Sequence, residues 1–82
     1  MAHPLAQYRE SKGLSQDEAA LELGLSSGTS ISNIETGSRD SPIRLGLQIQ
    51  VWSKGEVQAV DIVSPEDRQL LIEYAAFAKV AA

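Results

Sequence analysis

Residues 13–39 read Gly13-Leu-Ser-Gln-Asp-Glu-Ala-Ala-Leu-Glu-Leu-Gly-Leu-Ser-Ser-Gly-Thr-Ser-Ile-Ser-Asn-Ile-Glu-Thr-Gly-Ser-Arg39. Ser15 followed three residues on by Glu18 is the signature of a capping box, so a helix begins there. It runs through Leu23 and stops at Gly24, with Ala20 and Leu23 facing inward. The small Ala20 lets a neighbouring helix approach closely. Gly24-Leu25-Ser26-Ser27 is a corner in which Leu25 plugs the core and a serine caps the next helix, placed at about Gly28 to Thr36. That helix carries Ile31 and Ile34 on one face and short polar side chains on the other. Gly37 ends it, and residues 38–41 are a polar loop.

Leu5, Tyr8 and Lys12 share a face of an earlier helix closed by Lys12-Gly13. Beyond the loop, Ser41-Pro42 predicts a serine cap with proline in the first helical position. Leu45, Ile49 and Trp52 then recur at helical spacing, with Leu47 and Val51 widening the buried stripe, and Lys54-Gly55 ends the run. Val57 to Val63 has apolar residues at 57, 60, 62 and 63, compatible with a helical turn or an extended piece. Ser64-Pro65-Glu66-Asp67 is a helix start: a cap, an N1 proline and two acids on the positive end of the dipole. The last helix runs to about Val80, with Leu70, Leu71, Tyr74, Ala75, Phe77 and Ala78 along its apolar side. The pattern predicts an all-α bundle of five to six helices with a possible short extended segment near 56–63. It forms one domain over 1–82, closed by a helix over 65–80.

With 82 residues the chain lies near the lower limit for an unaided core. Apolar content of 43% with 5% aromatic points to packed Leu, Ile, Val and Ala. Cysteine is absent, which excludes disulfides and thiolate metal sites. His3, the single histidine, has no neighbouring ligand set and reads as an exposed terminal residue, so no metal is expected. Asp17, Glu18 and Glu22 read as a solvated face. No nucleophile–base pair or phosphate-binding glycine loop is visible, so neither an enzyme nor a cofactor is expected. The most apolar tail, Tyr74 to Ala82, is interrupted by Lys79, and Met1-Ala2-His3-Pro4 lacks the start of a signal peptide. No membrane partner and a cytoplasmic location are the expectations.

The Leu14-Ser15-Gln16 opening, Ala20, Gly24, Ile31, Ile34, Glu35, and Gly37 followed by Arg39 and Pro42 occur in a telling order. Together they resemble the helix-turn-helix of the Cro/cI-type (XRE-like) bacterial and phage repressors, over roughly residues 5–63. The resemblance implies a lambda-repressor-like bundle and a sequence-specific transcriptional regulator. It would act as a homodimer on a palindromic double-stranded DNA operator, as a phage or prophage repressor or a small autoregulator. The sequence departs from the family in places. The segment between Gly24 and Ile31 is one residue longer than the commonest form, which leaves the register of the next helix's first turn open. Ala19 stands where a bulkier apolar residue is usual, and Leu21 where a polar one is usual.

Gly28, Thr29, Ser32 and Asn33 match the family's base-reading positions. Asn33 is suited to a bidentate pair with adenine, and Thr29 and Ser32 to a base edge or a thymine methyl. Gly28 would let the backbone come close. Serine, threonine and glycine are poor helix formers, and a merely solvated helix would more often carry Glu, Lys or Gln. Gln16, in a first turn with free N–H groups, and Ser27, Ser30, Arg39 and Arg44 are the candidates for phosphate. Arg44 reads equally well as a solvated charge, and Ser30 lies midway between two faces. The resemblance also implies a structural ion pair between Arg9 and Glu35 beneath the reading helix.

Charge pulls the other way. Seven basic against eleven acidic residues give −4, whereas phosphate neutralisation usually favours basic domains. Within residues 1–44, Arg9, Lys12, Arg39 and Arg44 face Glu10, Asp17, Glu18, Glu22, Glu35 and Asp40. Local placement outweighs the total at a groove. The last helix is apolar over a wider arc than a lone monomer would expose. Part of it is expected to cover the helices around Leu5 and Ile49. Leu71, Tyr74, Phe77 and Ala78 are left as a candidate two-fold contact, with residues 55–63 the alternative. A protein-interaction module, such as an antirepressor or antitoxin-like partner, is the competing function. No small-molecule ligand is evident.

Overall fold

Five α-helices make up the computed structural model, which describes the backbone of residues 3–81 and the side chains of residues 3–74. They are α1 (Pro4–Ser11), α2 (Gln16–Glu22), α3 (Thr29–Thr36), α4 (Ile43–Trp52) and α5 (Pro65–Ala81), with a 3-10 turn at Ala59–Asp61. The architecture is the expected all-α helix-turn-helix bundle, without strands among the described residues. No helix among those residues is long and apolar enough to cross a membrane.

The local signals act where they were read. Glu18 N–H donates to Ser15 Oγ at 3.0 Å while Ser15 N–H donates to Glu18 Oε1 at 2.8 Å, closing the capping box of α2. These bonds hold the Glu18 carboxyl below its ordinary value. Ser64 caps α5 through the Asp67 N–H, 3.2 Å from its hydroxyl. Leu5, Ala20, Leu23, Ile31, Ile34, Ile49, Val57 and Ile62 form the core, with Tyr8, Leu25, Leu45 and Trp52 packed around it. Trp52 sits edge-on to Tyr8, ring centres 5.0 Å apart, and its indole N–H reaches Glu22. Glu22 is therefore tied to α4, and Glu18 to its cap, rather than merely solvated.

Several expectations need correction, most of them because a distant segment competes with a local preference. His3 is no free terminal residue: its Nδ1 accepts the Leu5 N–H at 3.1 Å and caps α1. Ser41 does not cap α4, whose first residue is Ile43. Buried at 2% exposure, Ser41 donates its N–H to Ile62 at 2.8 Å and bridges to Val63. That bridge and the 3-10 turn resolve residues 57–63 as a tight turn ending in one extended contact. Val51 turns out to solvent at 79% exposure, and Leu47 is half outside. The α4 stripe is thus Leu45, Ile49 and Trp52 alone, while Gly46 lets α4 press against Val63 and Ala59. Finally, α5 packs chiefly on the 3-10 turn, fastened by Arg68 Nε donating to Val60 O at 2.8 Å, and shares only open grooves with α4.

Candidate nucleic-acid interface

The corner between α2 and α3 is closed by backbone bonds. Gly24 N–H reaches Leu21 O at 3.1 Å and Leu25 N–H reaches Ala20 O at 2.8 Å, a Schellman pair that needs Gly24 in the left-handed region at φ +77°. Leu25 thereby drops onto the core. Gln48 of α4 donates to Leu23 O at 2.7 Å and pins the end of α2 from the other side. Nothing in the local sequence announces Gln48 in this role.

Ile31 and Ile34, at 0% and 4% exposure, hold α3 against the bundle. On the opposite face of its two turns stand Thr29 and Thr36, both exposed, with half-buried Asn33 between them, half-buried Ser32 at one margin and exposed Ser30 at the other. Thr36, which the sequence reading left out, belongs to this outer row. Its hydroxyl donates to Ser32 O at 2.9 Å and lies 2.9 Å from Ser38 Oγ. Gly28 does not join the row. It is buried against the first turn of α2, and its N–H donates to Asp17 Oδ1 at 2.8 Å. The expectation that it brings backbone close to a base fails because the α2 backbone already occupies that side. The serine cap expected for α3 is also missing: Gly28 is the capping position and no side chain of its own caps it.

Beneath α3 lies a polar knot. Arg9 donates to Glu35 twice, Nε to Oε2 at 2.8 Å and a terminal nitrogen to Oε1 at 3.0 Å, with side-chain exposures of 14% and 7%. The other terminal nitrogen donates to Leu14 O at 2.9 Å. Gln16 adds an amide N–H to Glu35 Oε1 at 3.2 Å. One fork thus joins α1, the turn before α2, α2 and α3. Burial pushes the Glu35 carboxyl up. The hydrogen bonds from Arg9 and Gln16 and the charges of Arg9 and His3 outweigh it, so the group sits below its ordinary value. The bond to Glu35 raises Arg9, against desolvation. Gln16 has a second amide hydrogen left over, so only part of it is committed inward.

Arg39 and Arg44 converge with Ser30 around one open cleft of about 420 Å³ between the end of α3 and the start of α4. Leu25, Ile34, Pro42 and Leu45 form its apolar floor. The Arg39 N–H donates to Asn33 O at 3.2 Å, which folds the loop back against α3. Asp40 shares the cleft and tempers its positive charge. Ser27 lies at the corner, exposed, 3.4 Å from the Thr29 N–H.

Of the four residues named for a two-fold contact, Leu71 and Tyr74 line an apolar groove of about 300 Å³ with Ile43, Leu47 and Leu70. Phe77 and Ala78 lie outside the residues whose side chains are described.

A family model described as "Helix-turn-helix" matches residues 5–45, the span from α1 into α4 that contains the corner, the outer row of α3 and the arginine cleft. Comparison with curated proteins and with solved structures found no match.

Proposed function

The chain belongs to the Cro/cI-type (XRE-like) helix-turn-helix family of DNA-binding transcription regulators, and on that premise we propose that it is a repressor acting as a homodimer on a palindromic operator. The observation that carries the proposal is the pairing of α3 with the cleft beside it. A short polar row stands outward on two isoleucine anchors, and two arginines and a serine gather at its end. Thr29, Ser32 and Asn33 read base edges in the major groove, while Ser27, Ser30, Arg39, Arg44 and the spare amide hydrogen of Gln16 hold the flanking phosphates. Repression is by occlusion of polymerase in the cytoplasm. This role is of the kind played by phage or prophage repressors and small autoregulators. Residues 1–82 act as one DNA-binding domain, with α5 serving dimerisation.

Enrichment from a pool of randomised duplexes tests the reading: a palindromic consensus is expected, and enrichment of none would sink it. With that consensus in hand, Asn33→Ala is expected to weaken binding by about 1–3 kcal/mol and to relax preference at one base position. Binding to random duplex should hardly change. Equal losses on both duplexes would remove Asn33 from the reading set.

The paucity of cations makes a second expectation. Log affinity should fall with log salt by roughly 0.9 per neutralised phosphate, giving a shallow slope for so acidic a chain. Arg39→Ala should flatten that slope by about one unit and weaken all sequences alike. A slope indifferent to Arg39 would show that its cleft holds no phosphate.

A further inference from the structure

The first turn of α3 is held by a residue outside its own corner. Gly28 N–H donates to Asp17 Oδ1 at 2.8 Å. A Cβ on Gly28 would lie 2.6 Å from that oxygen and 2.9 Å from both the Asp17 nitrogen and the Gln16 carbonyl carbon. Two backbones therefore meet with no room for a side chain. The local alternative is poor, because Ser27 Oγ is 3.4 Å from the Thr29 N–H, beyond the usual range for such a bond. Gly28, not a serine, occupies the capping position of α3, and a carboxylate from the first turn of α2 supplies the acceptor there.

We infer that Asp17 is a positioning residue for base reading, which fixes the register and tilt of the first turn of α3 through Gly28. The carboxylate accepts a charge-assisted bond and sits at the positive end of the helix, so its two effects act in the same direction. Asp17 itself touches no base. α3 is only eight residues long, so a first turn that swings free misplaces Thr29 and disturbs a large part of the reading row. The inference rests on α3 being the reading helix.

Three variants separate the parts. Asp17→Asn keeps an acceptor oxygen and removes the charge, Asp17→Ala removes both, and Gly28→Ala keeps both while forcing the backbones apart. The probes are the duplex enriched by the unaltered chain from a randomised pool and a random-sequence duplex at the same salt. Amide exchange at Gly28 is followed in the free protein. Asp17→Ala is expected to speed that exchange and to lower the ratio of enriched to random binding by about tenfold. Gly28→Ala should lower the ratio similarly. Asp17→Asn should keep most of the ratio, although loss of the same charge raises binding to both duplexes together.

A merely structural Asp17 would lower the melting temperature with the ratio unmoved. That result overturns the inference, as does an equal ratio for Asp17→Ala and Asp17→Asn. If the unaltered chain enriches no sequence, the base-reading premise fails. That failure is recognised because it precedes any substitution, whereas slow Gly28 exchange restored to the free rate by Asp17→Ala still reports the contact itself.

Discussion

Arg9→Ala is expected to destabilise the fold by about 3–5 kcal/mol, the cost of leaving a buried carboxylate without its partner. Glu35 is the residue stranded: its side chain is 7% exposed, and of its side-chain donors the Gln16 amide would remain. Arg9 also holds Leu14 O, so the turn before α2 loosens in the same step. At roughly 4–8 °C per kcal/mol for a domain of this size, the melting midpoint should fall by more than about 10 °C. Thermal unfolding followed by circular dichroism reads it. A double variant, Arg9→Met with Glu35→Leu, should be less destabilised than the two single variants summed, because neither charge is then left alone. Additive losses would mean the two groups do not stabilise one another.

The same pair sets an acid limb. The Glu35 carboxyl titrates lower in the folded chain than in the unfolded one. Its contribution is therefore complete above the unfolded value of about 4.3 and drains away as pH falls through the folded value. In Glu35→Gln that decline should flatten below about pH 4, while stability near neutrality is lower throughout.

Much of this was legible because it is local. Ser15 and Glu18 satisfy one another three residues apart, and Gly24 closes a corner that needs a left-handed residue. Ile31 and Ile34 repeat at helical spacing; each is a short-range fact that sequence alone can carry. The Arg9–Glu35 contact spans helices and came from the resemblance, since no pattern in the residues links them. Most of what was misread involves segments that meet only in the folded chain. Ser41 gives its N–H to the Ile62 carbonyl and its hydroxyl to Pro42 O instead of capping α4, whereas His3 is a local miss, a cap two residues from the Leu5 N–H. Gly28 looked like an open backbone position and is instead the place where α2 and α3 touch. Val51 fits the stripe by spacing, yet it stands open to solvent on the side of α4 away from the core. The outward face of α3 keeps Thr29, Ser32 and Asn33 through these changes, because Ile31 and Ile34 seat the helix while the Asp17–Gly28 contact fixes its first turn.

The position of α5 on the 3-10 turn makes the second large effect an oligomeric one. Leu70 and Tyr74 are 54% and 69% exposed, and with Leu47, at 43%, they rim a groove floored by Ile43 and Leu71. A second hollow of about 280 Å³ shares Leu47, Leu71 and Tyr74 and continues toward Gln50, Gln58 and Val60. An isologous contact would set α5 of each copy into this groove of the other, burying on both sides what one copy leaves open. Leu70→Glu, at an exposed position, should leave the monomer folded while placing a carboxylate in the middle of the contact. The variant is expected to sediment as a monomer and to lose affinity for a palindromic site on the order of 100-fold, because the second half-site no longer binds at a high effective concentration. Its affinity for a single half-site should be unchanged. A Leu70→Glu chain that remains dimeric with full operator affinity would move the interface elsewhere, with residues 55–63 the first place to look. A variant that remains dimeric but no longer distinguishes one half-site from two would likewise place the pairing surface outside this groove, with the groove serving only to align two copies of α3.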